Sequence, residues 1–165
     1  MEKLTKNNVI TVQDFLNTEV EDLEQLIYPV SFYKTKAKNI KKTCQILYDT
    51  SINKAQIDIP DTKDALLALP GVGPKMAYLV MTCAWNKTVG ICVDIHVHRI
   101  SNRLGWVKDT KKPEQTREEL QEWLPASHWG TINPLLVGFG QTICTPQRPK
   151  CSDCLINDIC PSSST

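Results

Sequence analysis

Two groups of residues in this sequence have the types and the spacing to do chemistry. The first is "LPGVGPKMA", Leu69 to Ala77, where a Gly/Pro turn runs into an apolar, helix-like stretch and Lys75 falls in that helix's first turn. A helix start favours carboxylates and disfavours a cation, so a lysine placed there needs a reason. A lysine nucleophile reacts through its free amine, whereas a lysine at its reference pKa of roughly 10.4 is ammonium at neutral pH. Bringing such a group to about 7 to 8 takes roughly 4 kcal/mol, and a helix N-terminus supplies ~2 kcal/mol at most. Desolvation in a cleft, or a second cation, has to supply the rest. The same turn offers backbone N–H groups from Gly71, Val72 and Gly73, a seat for a phosphate that positions a strand without reading its sequence. The competing readings are a plain helix-to-helix turn and a solvated lysine pointing away.

The second group is "CTPQRPKCSDCLINDIC", whose spacing C-x6-C-x2-C-x5-C sets out Cys144, Cys151, Cys154 and Cys160. Four thiolates suit an iron–sulfur cluster or a structural zinc ion, and in a reducing compartment either comes before disulfides. Zinc sites more often show two tight C-x2-C pairs, and here one pair is tight. Pro146 and Pro149 stiffen the first gap, which displays Arg148 and Lys150 in a manner suited to phosphates. Cys44, Cys83 and Cys92, the other three of seven cysteines, are scattered through apolar surroundings and read as small core residues.

The elements that must position these groups read as helices. Tyr33, Ala37, Ile40, Cys44 and Leu47 recur at helical steps on one face, with Lys34, Lys38, Lys41 and Lys42 mostly off it. Thr18 and Glu21 read as a capping box for a helix through Leu23 and Leu26. Asp61 is placed to cap a helix over Asp64 to Leu69, Pro113 to open one running to Leu124, and Ser127 one running towards Ile143. Alternation of period two appears only in "GICVDIHVHRI", too briefly for a sheet. The class is all-α. A lobe boundary is expected near residue 87 in "WNKTVGIC", dividing residues 1–87 from 88–165, and only the tail "PSSST" reads as disordered.

At 165 residues and 41% hydrophobic, the chain can bury one core or two small lobes sharing a cleft. Nineteen basic against eighteen acidic residues, a formal charge of +1, announce no polyanionic partner globally, so contact with nucleic acid must come from local clusters. No run of 18 apolar residues is present and the N-terminus lacks signal- or transit-peptide character, so the reading is a soluble intracellular protein.

Together these residues resemble the endonuclease III family of DNA glycosylase/AP lyases, within the helix-hairpin-helix superfamily. "LPGVGPKMA" is similar to the family's hairpin with its catalytic lysine, here Lys75. "GICVDIHVHRISNRLGW" is similar to the segment holding the catalytic aspartate, here Asp94, and C-x6-C-x2-C-x5-C is similar to the family's [4Fe–4S] spacing. The resemblance runs from "LIYPVSFYKTKAKNI" to Pro161. It implies a two-lobed helical fold with a cluster lobe, and a monomer acting on duplex DNA that holds an oxidised pyrimidine or an abasic site. Base release would be followed by a nick 3′ to the sugar, in the nucleus, with the mitochondrion as a second location. It also implies duplex contacts at the hairpin, at Arg148 and Lys150, and along Lys34 to Lys42, Lys36 included. Phe32 stands at a wedge position, and a plain core residue is the competing reading. The related adenine glycosylases lack the lysine.

The departures are specific. Family members carry further residues before this chain begins, including two helices that assist DNA and cluster packing, so the expectation is a truncated isoform or gene model. Ile95 replaces a threonine, Ser31 a glycine, and Pro134 interrupts an expected helix. His96 and His98 point to different faces and read as packing or phosphate groups, and Arg99 with Arg103 as a basic stripe. Asp94 reads equally as an N-cap for the helix after it. The rival functions are a non-catalytic DNA-binding fragment and a zinc-stabilised helical module without lesion specificity.

Overall fold

In the computed structural model, which describes residues 2–54 and 56–163, no strand occurs among the described residues. The chain divides into two compact units, Met1–Gly73 and Pro74–Thr165. The division comes earlier than the expected residue 87, because the helix that begins at Pro74 packs with the segments after it: Tyr78 lies against Gly90, and Thr82 near Gly130.

The first unit holds α1 (Glu2–Lys6), α2 (Val12–Asn17), α3 (Val20–Ile27), α4 (Tyr33–Thr50) and α5 (Lys63–Leu67). Leu4, Val9, Leu23 and Ala37 are its buried centre, with Phe15, Val20 and Ile40 packed around them. The expected face of α4 is the one that buries Ala37, Cys44 and Leu47. The capping box sits elsewhere than expected. Thr11 and Asp14 form it, opening α2, while Thr18 closes α2 with its hydroxyl on the Asp14 carbonyl at 2.8 Å. Helix α3 starts at Val20 with no side-chain cap. Lys41, expected on the polar face, donates to the carbonyls of Leu16 and Thr18 at 2.7 and 2.6 Å, a cation at a helix C-terminus. Thr62, not Asp61, caps α5.

The second unit holds α6 (Pro74–Cys83), α7 (Ile95–Arg103), α8 (Pro113–Trp123) and α9 (Trp129–Thr142), with short 3₁₀ turns at Ala126–His128, Cys151–Asp153 and Asn157–Ile159. Its core joins Ile91, Val93, Val97, Ile100, Val107, Leu120, Ile132 and Leu136. Pro113 takes the first position of α8, where its missing N–H costs nothing. Helix α9 continues through Pro134 rather than breaking, forgoing one backbone bond. A Cβ on Gly140 would meet His96 Nδ1 at 2.6 Å and Ile100 Cδ1 at 2.9 Å, so glycine lets α7 and α9 approach closely. Cys44 and Cys92 are buried, but Cys83 is exposed at the end of α6. In the tail, Pro161 to Ser163 form a turn closed by Ser163 N on the Cys160 carbonyl; Ser164 and Thr165 lie outside the described residues. No helix among the described residues is long and apolar enough to cross a membrane.

Candidate active site and cluster loop

Asp94 is the N-cap of α7. Its backbone is extended and its Oδ1 accepts from the amides of His96 at 2.8 Å and Val97 at 2.9 Å. These bonds use one oxygen and leave Oδ2 to face Lys75 Nζ at 3.9 Å, an ion pair longer than a hydrogen bond. Asp94 is buried, because Ile91, Cys92 and Val93 before it are drawn into the core. Lys75 follows Pro74 in the first turn of α6, as its sequence context predicts. Its side chain is 58% exposed, and the cleft it shares with Asp94, Tyr78, Lys112, Glu114 and Arg117 is open, about 920 Å³ including space that merges with solvent. The expected water-poor pocket around the amine is therefore not built by these side chains alone. Beneath the lysine, the Cys92 thiol donates to the Lys75 carbonyl at 3.4 Å, and burial pushes that thiol's pKa up.

In the first unit, Gly71 adopts φ +79°, and a Cβ there would fall 2.4 Å from Asn39 Nδ2. Gly73 has neither constraint. Val72 N donates to the Leu69 carbonyl at 3.2 Å, which closes the turn and removes one amide from the expected row. Phe32 is 81% exposed and left-handed at φ 58°, a costly conformation for a bulky residue. Lys36 folds back to donate to the Ser31 carbonyl at 2.7 Å, while Lys34, Lys38 and Lys42 are the remaining cations of this stretch.

The two histidines face different partners. His98 Nδ1 meets Thr116 Oγ1 of α8 at 2.6 Å, and His96 packs on α9 at Gly140. Arg99 and Arg103 do not form the expected surface stripe. Arg99 donates to the carbonyls of Gly140 at 3.3 Å and Cys144 at 2.7 Å; its burial, then the like charge of Arg103, lowers its pKa. Arg103 donates to Cys144 Sγ at 3.3 Å and to the carbonyls of Thr145 at 2.7 Å and Pro146 at 2.6 Å. Four-residue spacing marks a shared helix face, and nothing in it says that the face meets carbonyls. With Thr145 Oγ1 donating to the Arg148 carbonyl at 2.6 Å, this loop holds Arg148 and Lys150 exposed.

A model of the HhH-GPD superfamily of base excision DNA repair proteins matches residues 1–126. The chain belongs to that superfamily. A second match, the iron–sulfur binding domain of endonuclease III, spans residues 144–160 of this HhH-GPD chain, from its first clustered cysteine to its last. Endonuclease III homolog 2, chloroplastic, of Arabidopsis thaliana is 51% identical over 99% of this chain and 43% of its own length. Endonuclease III-like protein 1 of Gallus gallus is 52% identical over 93% of this chain and 54% of its own. The chain thus spans about half the length of the curated relatives it matches. Among solved structures, a non-covalent endonuclease III–DNA complex superposes with a TM-score of 0.86 at 32% identity, covering 98% of this chain and 74% of that one. A trapped endonuclease III–DNA covalent intermediate gives 0.84 at 32% identity, covering 93% and 70%.

The cofactor of this HhH-GPD chain's 144–160 segment is a [4Fe–4S] cluster, and the donor set fits it. Cys144, Cys151, Cys154 and Cys160 are all free thiols lining one pocket with Arg103, Phe139 and Ile143, whose space of about 400 Å³ merges with solvent. A cluster takes one thiolate at each of four separated irons.

Proposed function

We propose that this chain is the catalytic portion of a bifunctional DNA glycosylase/AP lyase acting on oxidised pyrimidines in duplex DNA. The observation that carries it is the pairing of Lys75 Nζ with the Asp94 oxygen that helix capping leaves free. A route through a protein–DNA adduct is supported by the endonuclease III structure trapped as a covalent intermediate, whose chain is 32% identical to this one.

The damaged nucleotide must leave the stack before its sugar can be attacked. The free amine of Lys75 then attacks C1′ and the C1′–N bond breaks, its electron pair leaving on the base, which takes up a proton. The new nitrogen loses a proton and the C1′–O4′ bond opens, its oxygen gaining a proton, to give the Schiff base. Abstraction of a C2′ proton then expels the 3′ phosphate by β-elimination. Asp94 Oδ2 stabilises positive charge developing at the sugar. Because Lys75 is open to solvent, the bound duplex must supply the water exclusion the reaction needs.

Backbone N–H groups at Gly71 and Gly73, with Lys36, Arg148 and Lys150, serve as phosphate contacts in this reading. Phe32 serves as the wedge: an exposed phenylalanine held left-handed costs roughly 1–2 kcal/mol, strain of the sort that persists at functional positions. Cys144, Cys151, Cys154 and Cys160 hold the cluster, which when bound cross-links the loop that presents Arg148 and Lys150.

Borohydride trapping on a duplex with one oxidised pyrimidine tests the reading. A covalent adduct is expected from the protein and none from Lys75→Gln; an adduct that persists in Lys75→Gln overturns it. The exposure of Lys75 favours one alternative, a non-catalytic DNA-binding portion, for which tight binding without any adduct is expected.

A further inference from the structure

Lys75 and Asp94 lie on different segments, so their separation depends on whatever holds α6 to the extended chain that ends at Asp94. Helix α8 touches both. The Arg117 guanidinium lies over the Tyr78 ring, 5.5 Å from its centroid, and Tyr78 is on α6 three residues after Lys75, one turn along. Arg117 also donates through Nε to Glu114 Oε1 at 2.7 Å and through Nη1 to Gln121 Oε1 at 3.0 Å. Its Nη2 pairs with Glu114 at 2.7 Å and Glu118 at 3.3 Å. Burial alone would lower its pKa, but the Glu114 hydrogen bond and the surrounding acidic groups outweigh burial and raise it.

The same Gln121 oxygen accepts from the Ile91 amide at 3.1 Å, three residues before Asp94. Both neighbours of that atom are donors, so Gln121 must present its oxygen there, and Arg117 locks it in that orientation. Gly90 is the meeting point. A Cβ there would lie 2.4 Å from the Tyr78 ring and 3.0 Å from Gln121 Oε1, so the ring, the amide and the chain close on one another only with glycine at that position.

We propose that Arg117 and Gln121 are positioning residues for the lyase step: through Tyr78 on one side and the Ile91 amide on the other, they set the separation of Lys75 and Asp94. The inference rests on the lyase reading above. Neither residue touches the reacting atoms. Misplacing the carboxylate relative to the amine slows reaction without weakening the grip on DNA.

The test uses Gln121→Leu, which removes the acceptor, and Gln121→Glu, which keeps one, each measured for Ile91 amide exchange, affinity for an abasic-site duplex, and the single-turnover rate of borohydride-trapped adduct. In Gln121→Leu, exchange at Ile91 is expected to rise at least about tenfold and adduct formation to slow roughly tenfold to a hundredfold, with affinity within about twofold. Gln121→Glu is expected to restore both. Arg117→Lys, which keeps the charge but not the fork, is expected to fall between. An unchanged adduct rate in Gln121→Leu despite faster exchange overturns the proposal, as does a parallel loss of affinity and rate, or a failure of Gln121→Glu to rescue. If the unmutated protein forms no adduct, the lyase reading fails instead, and the brace stands or falls on Ile91 exchange alone.

Discussion

Asp94 Oδ2 stands 3.9 Å from Lys75 Nζ while Oδ1 of the same carboxylate holds the amides of His96 and Val97. One side chain thus starts α7 and faces the amine. The capping bonds fix the carboxylate plane, so the free oxygen is aimed by the helix it caps.

The two roles separate by substitution. Asparagine caps a helix about as well as aspartate, so Asp94→Asn is expected to keep stability within about 0.5 kcal/mol, whereas Asp94→Ala loses about 1 kcal/mol. Both are expected to slow adduct formation by roughly 10² to 10⁴. Thermal denaturation beside single-turnover trapping checks this, and a full rate in Asp94→Asn would leave the carboxylate with capping alone.

The two hairpin glycines differ. Gly71 is left-handed and crowded by Asn39, whereas a Cβ on Gly73 meets nothing within 4 Å. Gly71→Ala is expected to cost about 1–2 kcal/mol or more, and Gly73→Ala less than about 0.5 kcal/mol. Equal losses in chemical denaturation would contradict the backbone assigned to this turn.

Arg103 reaches the Cys144 sulfur and two carbonyls of the loop after it. Arg103→Leu strands those carbonyls, and a loss of roughly 2–4 kcal/mol is expected, since hydrogen bonds to charged groups contribute about 1.5–3 kcal/mol each and do not add fully. Iron should pass to a chelator faster than from the unmutated protein, followed by visible absorbance. Unchanged release would mean that the loop is held by its other contacts.

Burial raises the thiol pKa of Cys92 and of Cys44, outweighing the opposing charges of Lys75 and Lys41 respectively. Below about pH 8.5 such a thiol is neutral in the folded and unfolded chain alike. Above it the unfolded chain loses its proton first, so the contribution to stability falls as pH rises towards the folded value. Cys92→Ala should flatten the alkaline decline, and alkylation of the native protein at about pH 8 should reach exposed Cys83 before either buried thiol. The reverse order of modification would contradict the burial.

What the sequence disclosed was local. Lys75 in a first turn, Asp94 as a cap, Pro113 at a helix start and the buried face of α4 all follow from patterns within about four residues. The misses are of two kinds. Thr18–Glu21 and Thr11–Asp14 both have cap spacing, and the spacing does not distinguish the pair that forms the box, Thr11–Asp14, from the one that does not. Arg99 and Arg103 read as a basic stripe and Lys41 as a polar-face cation because their carbonyl partners lie in other segments, far along the chain. Cys83 read as core because its neighbours are apolar, yet α6 turns it outward.

The identity of the attacking amine is the point most directly open to measurement. After borohydride reduction on an abasic-site duplex, proteolysis and mass spectrometry of the adduct should place the sugar remnant on Lys75. A remnant on any other lysine, or on the N-terminal amine, would contradict the account.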